Sequence, residues 1–180
     1  MWEWLGEPLA VDFANTTKRR GHVDCECLRR GADLAEWARL QDGAVPLVDA
    51  AEVEPRLAGV LELREAVVEL LHAVREGRAA AAVAAGRVNA AARAAPLVAQ
   101  LRDGSVVTEA AVAAAPLDEL LARVAASAIE LARGGGFVGF CDAPSCGQFF
   151  AGGRAGRRWC SEVCGTRARV ARHADRHRGA

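Results

Sequence analysis

At 180 residues the chain is long enough for one core and a small accessory module, and it needs no disulfide staples to fold. Apolar residues make up 52%, many of them alanine, with no run of about 18 strongly apolar residues, so a membrane span is not expected. The net charge of zero divides unevenly: residues 141–180 carry eight arginines against three acids, which puts +5 on the tail and −5 on the body and points to an anionic partner for the tail.

The start, MWEWLGEPLAVDF, holds acids and lacks a basic leader, so it does not read as a secretory signal, and the expected compartment is the cytoplasm. Pro8 opens a predicted helix through LAVDFANTT, and GADLAEWARLQ predicts a second with Leu34, Trp37 and Ala38 on one face. The strongest helix runs from near Pro55 to just before Gly77, with Leu57, Val60, Leu61, Val67, Val68, Leu71 and Val74 at helical spacing. The alanine-rich stretch 79–95 is helical by propensity, interrupted at Gly86 and stopped by Pro96. Two apolar runs then flank Asp103-Gly104, a dipeptide suited to the positive φ angles of a tight hairpin turn. Pro116 opens a further helix whose buried stripe is Leu117, Leu120, Leu121, Val124, Ala128 and Leu131. Gly134-Gly135-Gly136 ends it and reads as a hinge, giving a helical domain at 1–133 and a C-terminal module at 137–180.

That module carries the chemistry. Cys141 and Cys146 form one pair, thirteen residues follow, and Cys160 and Cys164 form a second. Zinc prefers four thiolate or imidazole ligands in a tetrahedron, and two short-range pairs supply them at low entropic cost. With all four positions filled by protein the zinc is structural, organising a segment with few core residues of its own. Spacing alone also admits free buried thiols or an iron–sulfur cluster. Phe140, Phe149, Phe150 and Trp159 are the expected miniature core, and Ser161 the expected cap of a final helix. On a helical projection of residues 161–177, Arg169, Arg172 and Arg176 share a wedge, with Cys164, Val163, Val170, Ala171 and Ala174 opposite. Arg154, Arg157 and Arg158 add charge from the preceding loop, and Arg167 projects to the packed side. These seven arginines are the candidate contacts to duplex DNA. His173 and His177 face outward, since four cysteines saturate the metal.

In the body, Asp12, Asn15, Thr16 and Arg19 fall on one face if their segment is helical. Such a face could bind a small effector, and it could equally bridge helices. His22, Cys25 and Cys27 form a looser trio that could make a metal or redox site but reads better as isolated thiols, and no motif nominates a catalytic residue.

The run Cys141…Cys146-Gly147…Phe150…Arg157-Arg158-Trp159-Cys160-Ser161…Cys164-Gly165-Thr166-Arg167 resembles the CGNR zinc-finger family of bacterial proteins. In that family the finger follows a helical domain called ABATE, and Leu9-Ala10-Val11-Asp12-Phe13-Ala14-Asn15-Thr16 is similar to its opening. The resemblance implies a mainly α protein ending in a knuckle, short β and helix around zinc, acting as a stress-responsive transcription regulator whose finger contacts DNA. Thr166 stands where the family has asparagine, and the gap from Cys160 to Cys164 is one residue shorter than in many members. A homodimer is expected, because one short finger makes few base contacts. The alternatives are an adaptor docking on an acidic protein and, less favoured, an enzyme in the helical body.

Overall fold

The computed structural model describes residues 6–20, 23–134, 137–152 and 156–178, with side chains for all of these except 18–20, 23, 24, 175 and 178. The protein is mainly helical: α1 (Leu9–Ala14), α2 (Gly31–Arg39), α3 (Ala50–Val53), α4 (Leu57–Glu76), α5 (Ala82–Ala94), α6 (Pro116–Gly134) and α7 (Glu162–Arg178). Three antiparallel strand pairs complete it among the described residues: β1 (Thr17–Arg20) with β2 (Val23–Glu26), β3 (Leu97–Arg102) with β4 (Ser105–Ala110), and β5 (Val138–Phe140) with β6 (Phe149–Ala151).

The core lies where α1 and α4–α6 converge. Phe13, Leu34, Val60, Val67, Leu71, Leu117, Leu120 and Val124 are essentially inaccessible there. Asp33 starts α2 by accepting the backbone N–H groups of Arg29 and Arg30 (2.8 and 2.9 Å). Pro55 sits in a single 3-10 turn leading into α4, and Gly77 closes α4 at φ 65°, a left-handed cap that an L side chain resists. Asp103 and Gly104 take φ 50° and 77° in the β3–β4 turn, as their identity demands. In α5 the helix runs unbroken through Gly86, because one glycine weakens a helix without ending it. In α6 the fully buried residues include Ala122 and Ala125, while Leu121 and Leu131 pack at the rim.

The first predicted helix is too long. It ends at Ala14, Asn15 caps it, and the chain turns at Thr16 into β1. β-branched Thr16 and Thr17 and the basic run after them favour extended backbone, and that run faces an acid-containing strand, with Arg19 opposite Asp24 and Thr17 opposite Glu26. Arg19 therefore does not share a helical face with Asp12 and Asn15, and its side chain lies outside the described residues.

A buried arginine holds this hairpin down. Arg64, only 3% exposed, projects from α4 and bonds both Glu26 carboxylate oxygens at 2.6 Å, with a longer bond to the Thr16 hydroxyl (3.3 Å). Burial pushes the Glu26 carboxyl up, but the Arg64 hydrogen bonds and charge outweigh it and hold the group below its ordinary range. A depressed carboxyl pKa stabilises the fold above its unfolded value, and that contribution is lost as pH falls through the folded value. Arg64→Met is expected to cost roughly 2–3 kcal/mol in chemical denaturation, below the value for a fully buried pair because Glu26 can rehydrate. Glu26→Gln should flatten the acid limb of the stability curve, and an unchanged limb would contradict the assignment.

Candidate metal centre and nucleic-acid interface

The C-terminal module begins with β5 and a tight knuckle. Cys141 leaves β5, and its backbone N–H donates to the Gln148 carbonyl (2.8 Å). Ser145 and Gly147 take left-handed φ angles of 62° and 67°, and the Cys146 N–H returns to the Ala143 carbonyl (3.1 Å). This curl turns both sulfurs of the first pair inward. The second pair comes from the start of α7, where the Ser161 hydroxyl accepts the Cys164 N–H (3.3 Å), an N-cap bond that fixes Cys164 in the first turn.

The four Sγ atoms lie within 4.8 Å of one another, and all four residues are buried. Cys146 to Cys160 and Cys160 to Cys164 are each 3.6 Å apart. Tetrahedral bonds of ~2.3 Å place sulfurs about 3.8 Å apart, so the cluster has the size that zinc requires. The donor chemistry agrees. Hydrogen bonding with Cys146 above all, and with Cys164 and Cys141, gathers on the Cys160 sulfur and lowers its pKa to about 5. Donating to that thiolate, together with burial, drives the Cys146 thiol strongly up, and burial raises Cys141. Four adjacent thiols cannot all ionise by themselves, and a divalent cation removes that obstacle.

Strand alternation makes β5–β6 a partition between metal and body. Gly139 pairs with Phe150 and faces the cysteines, while Val138 and Phe140, paired with Ala151 and Phe149, face the helices. Phe150 is fully buried among Cys141, Cys146, Cys160, Cys164 and Ala168, with Trp159 beside them. A Cβ at Gly139 would overlap the Phe150 ring, so this position has no room for alanine. Phe140 and Phe149 do not join that miniature core, contrary to the expectation from sequence. They enclose the His72 ring of α4 at centroid distances of 5.5 and 4.8 Å, and Phe149 and Val138 belong to the body's core. Neighbouring residues on a strand cannot share a face.

The polar group predicted in the body lies at this same junction. The Asn15 amide makes two buried bonds to Phe149: its Nδ2 donates to the carbonyl (3.0 Å) and its Oδ1 accepts the N–H (2.8 Å). Glu7 accepts the Ala151 N–H (2.7 Å) and pairs with Arg157 (3.4 Å). Thr16 donates to the Phe13 carbonyl (2.7 Å), and Asp12 accepts the Glu7 N–H (3.4 Å). These groups bridge elements. A cleft of about 370 Å³ lies elsewhere, between α4, α5 and α6, with Arg56 and Arg87 among its lining residues. Asn15→Ala is expected to cost about 2–4 kcal/mol, since it leaves a buried N–H and C=O unpaired. Amide exchange at Phe149 should accelerate with it, and an unchanged rate would show the clasp to be dispensable.

Residues 7–135 match the model of ABATE, described as a "putative stress-induced transcription regulator", and residues 138–177 match the CGNR zinc finger. The chain belongs to the ABATE family. No curated protein matches it. In this ABATE protein Cys141, Cys146, Cys160 and Cys164 are the ligands of a structural zinc ion, the finger match and the sulfur geometry agreeing. No other group of three or more metal-capable side chains comes together among the described residues, and Cys25 and Cys27 are half-buried and outside any disulfide.

The predicted arginines separate by environment. Arg157 is committed inside the finger: it donates to the Cys160 and Trp159 carbonyls (2.6 and 3.1 Å) and lies 4.5 Å from the centre of the Phe150 ring. Arg167 donates to the Pro144 carbonyl (3.1 Å), tying α7 to the knuckle, yet its side chain is exposed. Arg158, 62% exposed, pairs with Asp142 at 3.2 Å, and Arg154 lies outside the described residues. Arg169, Arg172 and Arg176 are exposed on α7. Thr166, at the family's asparagine position, accepts a bond from Arg169 (3.0 Å), and Arg172 lies 5.9 Å from the Trp159 ring. Val163 and Val170, expected on the packed side of α7, are 68% and 64% exposed. The buried side holds Cys164, Gly165 and Ala168 instead, because Trp159 closes over Gly165 and draws that face inward. His173 and His177 are exposed, their rings 4.4 Å apart.

Proposed function

We propose that this ABATE protein is a DNA-binding transcription regulator, rather than an enzyme, whose zinc finger presents α7 to duplex DNA. The observation that carries the reading is the charge of α7: Arg169, Arg172 and Arg176 are exposed on one helix whose first turn holds a zinc ligand, and no carboxylate among the described side chains pairs with them. Elsewhere in the body most described arginine ion pairs are local and neutralise themselves, as in Arg78 with Glu69 and Arg123 with Glu119. An exposed cationic ridge of this kind suits a polyanion.

The helical body supports the finger through Asn15, Glu7 and His72, and in this reading it relays a small effector bound in the cleft between α4, α5 and α6. The regulator acts in the cytoplasm as a homodimer, because one finger helix contacts too few base pairs for a specific site. No helix among the described residues is long and apolar enough to cross a membrane.

Fluorescence anisotropy of zinc-loaded protein on a labelled duplex tests the reading. With about four to six phosphates contacted, log K should fall against log salt with a slope near −0.9 per phosphate. Absence of binding at low salt, together with retention on an acidic protein, would favour the adaptor alternative.

A further inference from the structure

Five exposed residues, Val163, Thr166, Val170, His173 and His177, recur along α7 at alternating spacings of three and four. That spacing gathers them into one narrow stripe, about 180° around the helix from Cys164 and Ala168, which are buried against the metal. Projection at ~100° per residue puts Arg169, Arg172 and Arg176 along one flank of the stripe and Arg167 along the other. The two valines are among the most exposed large apolar side chains of the finger, on the most basic helix of the chain.

We infer that this stripe is the base-reading edge of α7, and that Val163 and Val170 contact the C5-methyl groups of thymine in the major groove. The inference rests on the DNA-binding reading and names the residues that give it sequence preference. Cations on both sides of an uncharged stripe match a groove, whose two walls are phosphate and whose floor is base edges. In that floor the apolar group offered to a protein is the thymine methyl, and short aliphatic side chains meet it without forfeiting a hydrogen bond. Thr166 and the two histidines bring hydrogen-bonding groups to the same edge. Charge argues against a second copy of the helix as the occupant, because two such stripes in contact would bring like-charged arginine flanks together.

Deoxyuridine substitution tests this directly, since it removes the thymine methyl and nothing else. Duplexes recovered from a random pool by the zinc-loaded full chain would be resynthesised with uracil at each thymine in turn. At contacted positions affinity should fall about fourfold, the value for one buried methyl. In Val163→Ser and Val170→Ser proteins, whose exposed positions leave folding undisturbed, each should lose the penalty at its own base. A protein that binds duplex DNA equally well with uracil throughout would overturn the assignment of the stripe alone. A protein that binds no duplex even at low salt would overturn the DNA-binding reading, and the stripe with it.

Discussion

Serine at Cys160 is expected to reduce zinc from one ion per chain to a trace and to unfold the finger. Cys160 sits at the centre of the cluster, 3.6 Å from both Cys146 and Cys164, so its loss breaks the second ligand pair and leaves the metal three thiolates. The finger has little else to hold it: apart from the cysteines, its own buried cluster comprises Phe150, Ala143 and Ala168 with Trp159. Structural zinc in modules of this kind supplies on the order of 10–16 kcal/mol, which no core of that size replaces. The damage should extend into the body, because Phe149 and Val138 contribute to its core and Asn15 loses both partners. Burial of the Phe149 side chain alone is worth about 2–3 kcal/mol. Hydrogen exchange should therefore show unprotected amides across 138–178 and a less stable, still folded helical body. Cys25→Ser, outside the cluster, should leave metal content unchanged. Acid should mimic the Cys160 variant, since protons compete with zinc for thiolates and affinity falls as pH falls.

Reversing the charge of Arg169, Arg172 and Arg176 to glutamate is expected to weaken duplex binding at least about a hundredfold at moderate salt, with zinc content and thermal stability unaltered. The three side chains are exposed; Arg169 bonds Thr166 and Arg172 bonds the Ala168 carbonyl (3.3 Å), both within α7 itself. The milder triple alanine variant should lower the salt slope by about 0.9 for each phosphate that is no longer neutralised. Arg157→Ala should behave in the opposite way. Its guanidinium joins the Cys160 and Trp159 carbonyls, the Phe150 ring and Glu7, so its removal should lower stability before it alters the salt slope. If Arg157→Ala and the triple variant behaved alike, the division between structural and exposed arginines would be wrong.

Much of this was readable in the chain. Four cysteines in two close pairs announce a metal because few other demands place thiols so, and Asp103-Gly104 announces its turn because few dipeptides tolerate the two positive φ angles found there. The long amphipathic helices followed from period alone. What local pattern could not show were features fixed by distant partners. Arg64 lies in α4 as an ordinary charged residue of an apolar helix, and its burial depends on Glu26, 38 positions away. Asn15 reads as one of a polar cluster suited to a ligand, and its role emerges once Phe149 is brought beside it. The β1–β2 pair is hidden by a helical reading of LAVDFANTT, although its basic and acidic runs pair in register. In the finger, Phe149 and Phe150 look alike until strand alternation sends one toward the helices and the other toward the metal. The projection of α7 erred on Val163 and Val170 because it assumed that valines seek the packed side, whereas Trp159 over Gly165 fixes that side independently.

X-ray absorption at the zinc edge on purified full-length protein addresses the metal centre directly. Four sulfur neighbours at about 2.3 Å, with no nitrogen or oxygen in the first coordination sphere and about one zinc per chain, is the predicted spectrum. Histidine nitrogen or water at the metal, or a protein that lacks zinc yet keeps residues 138–178 ordered, would contradict the four-thiolate site on which the orientation of α7 depends.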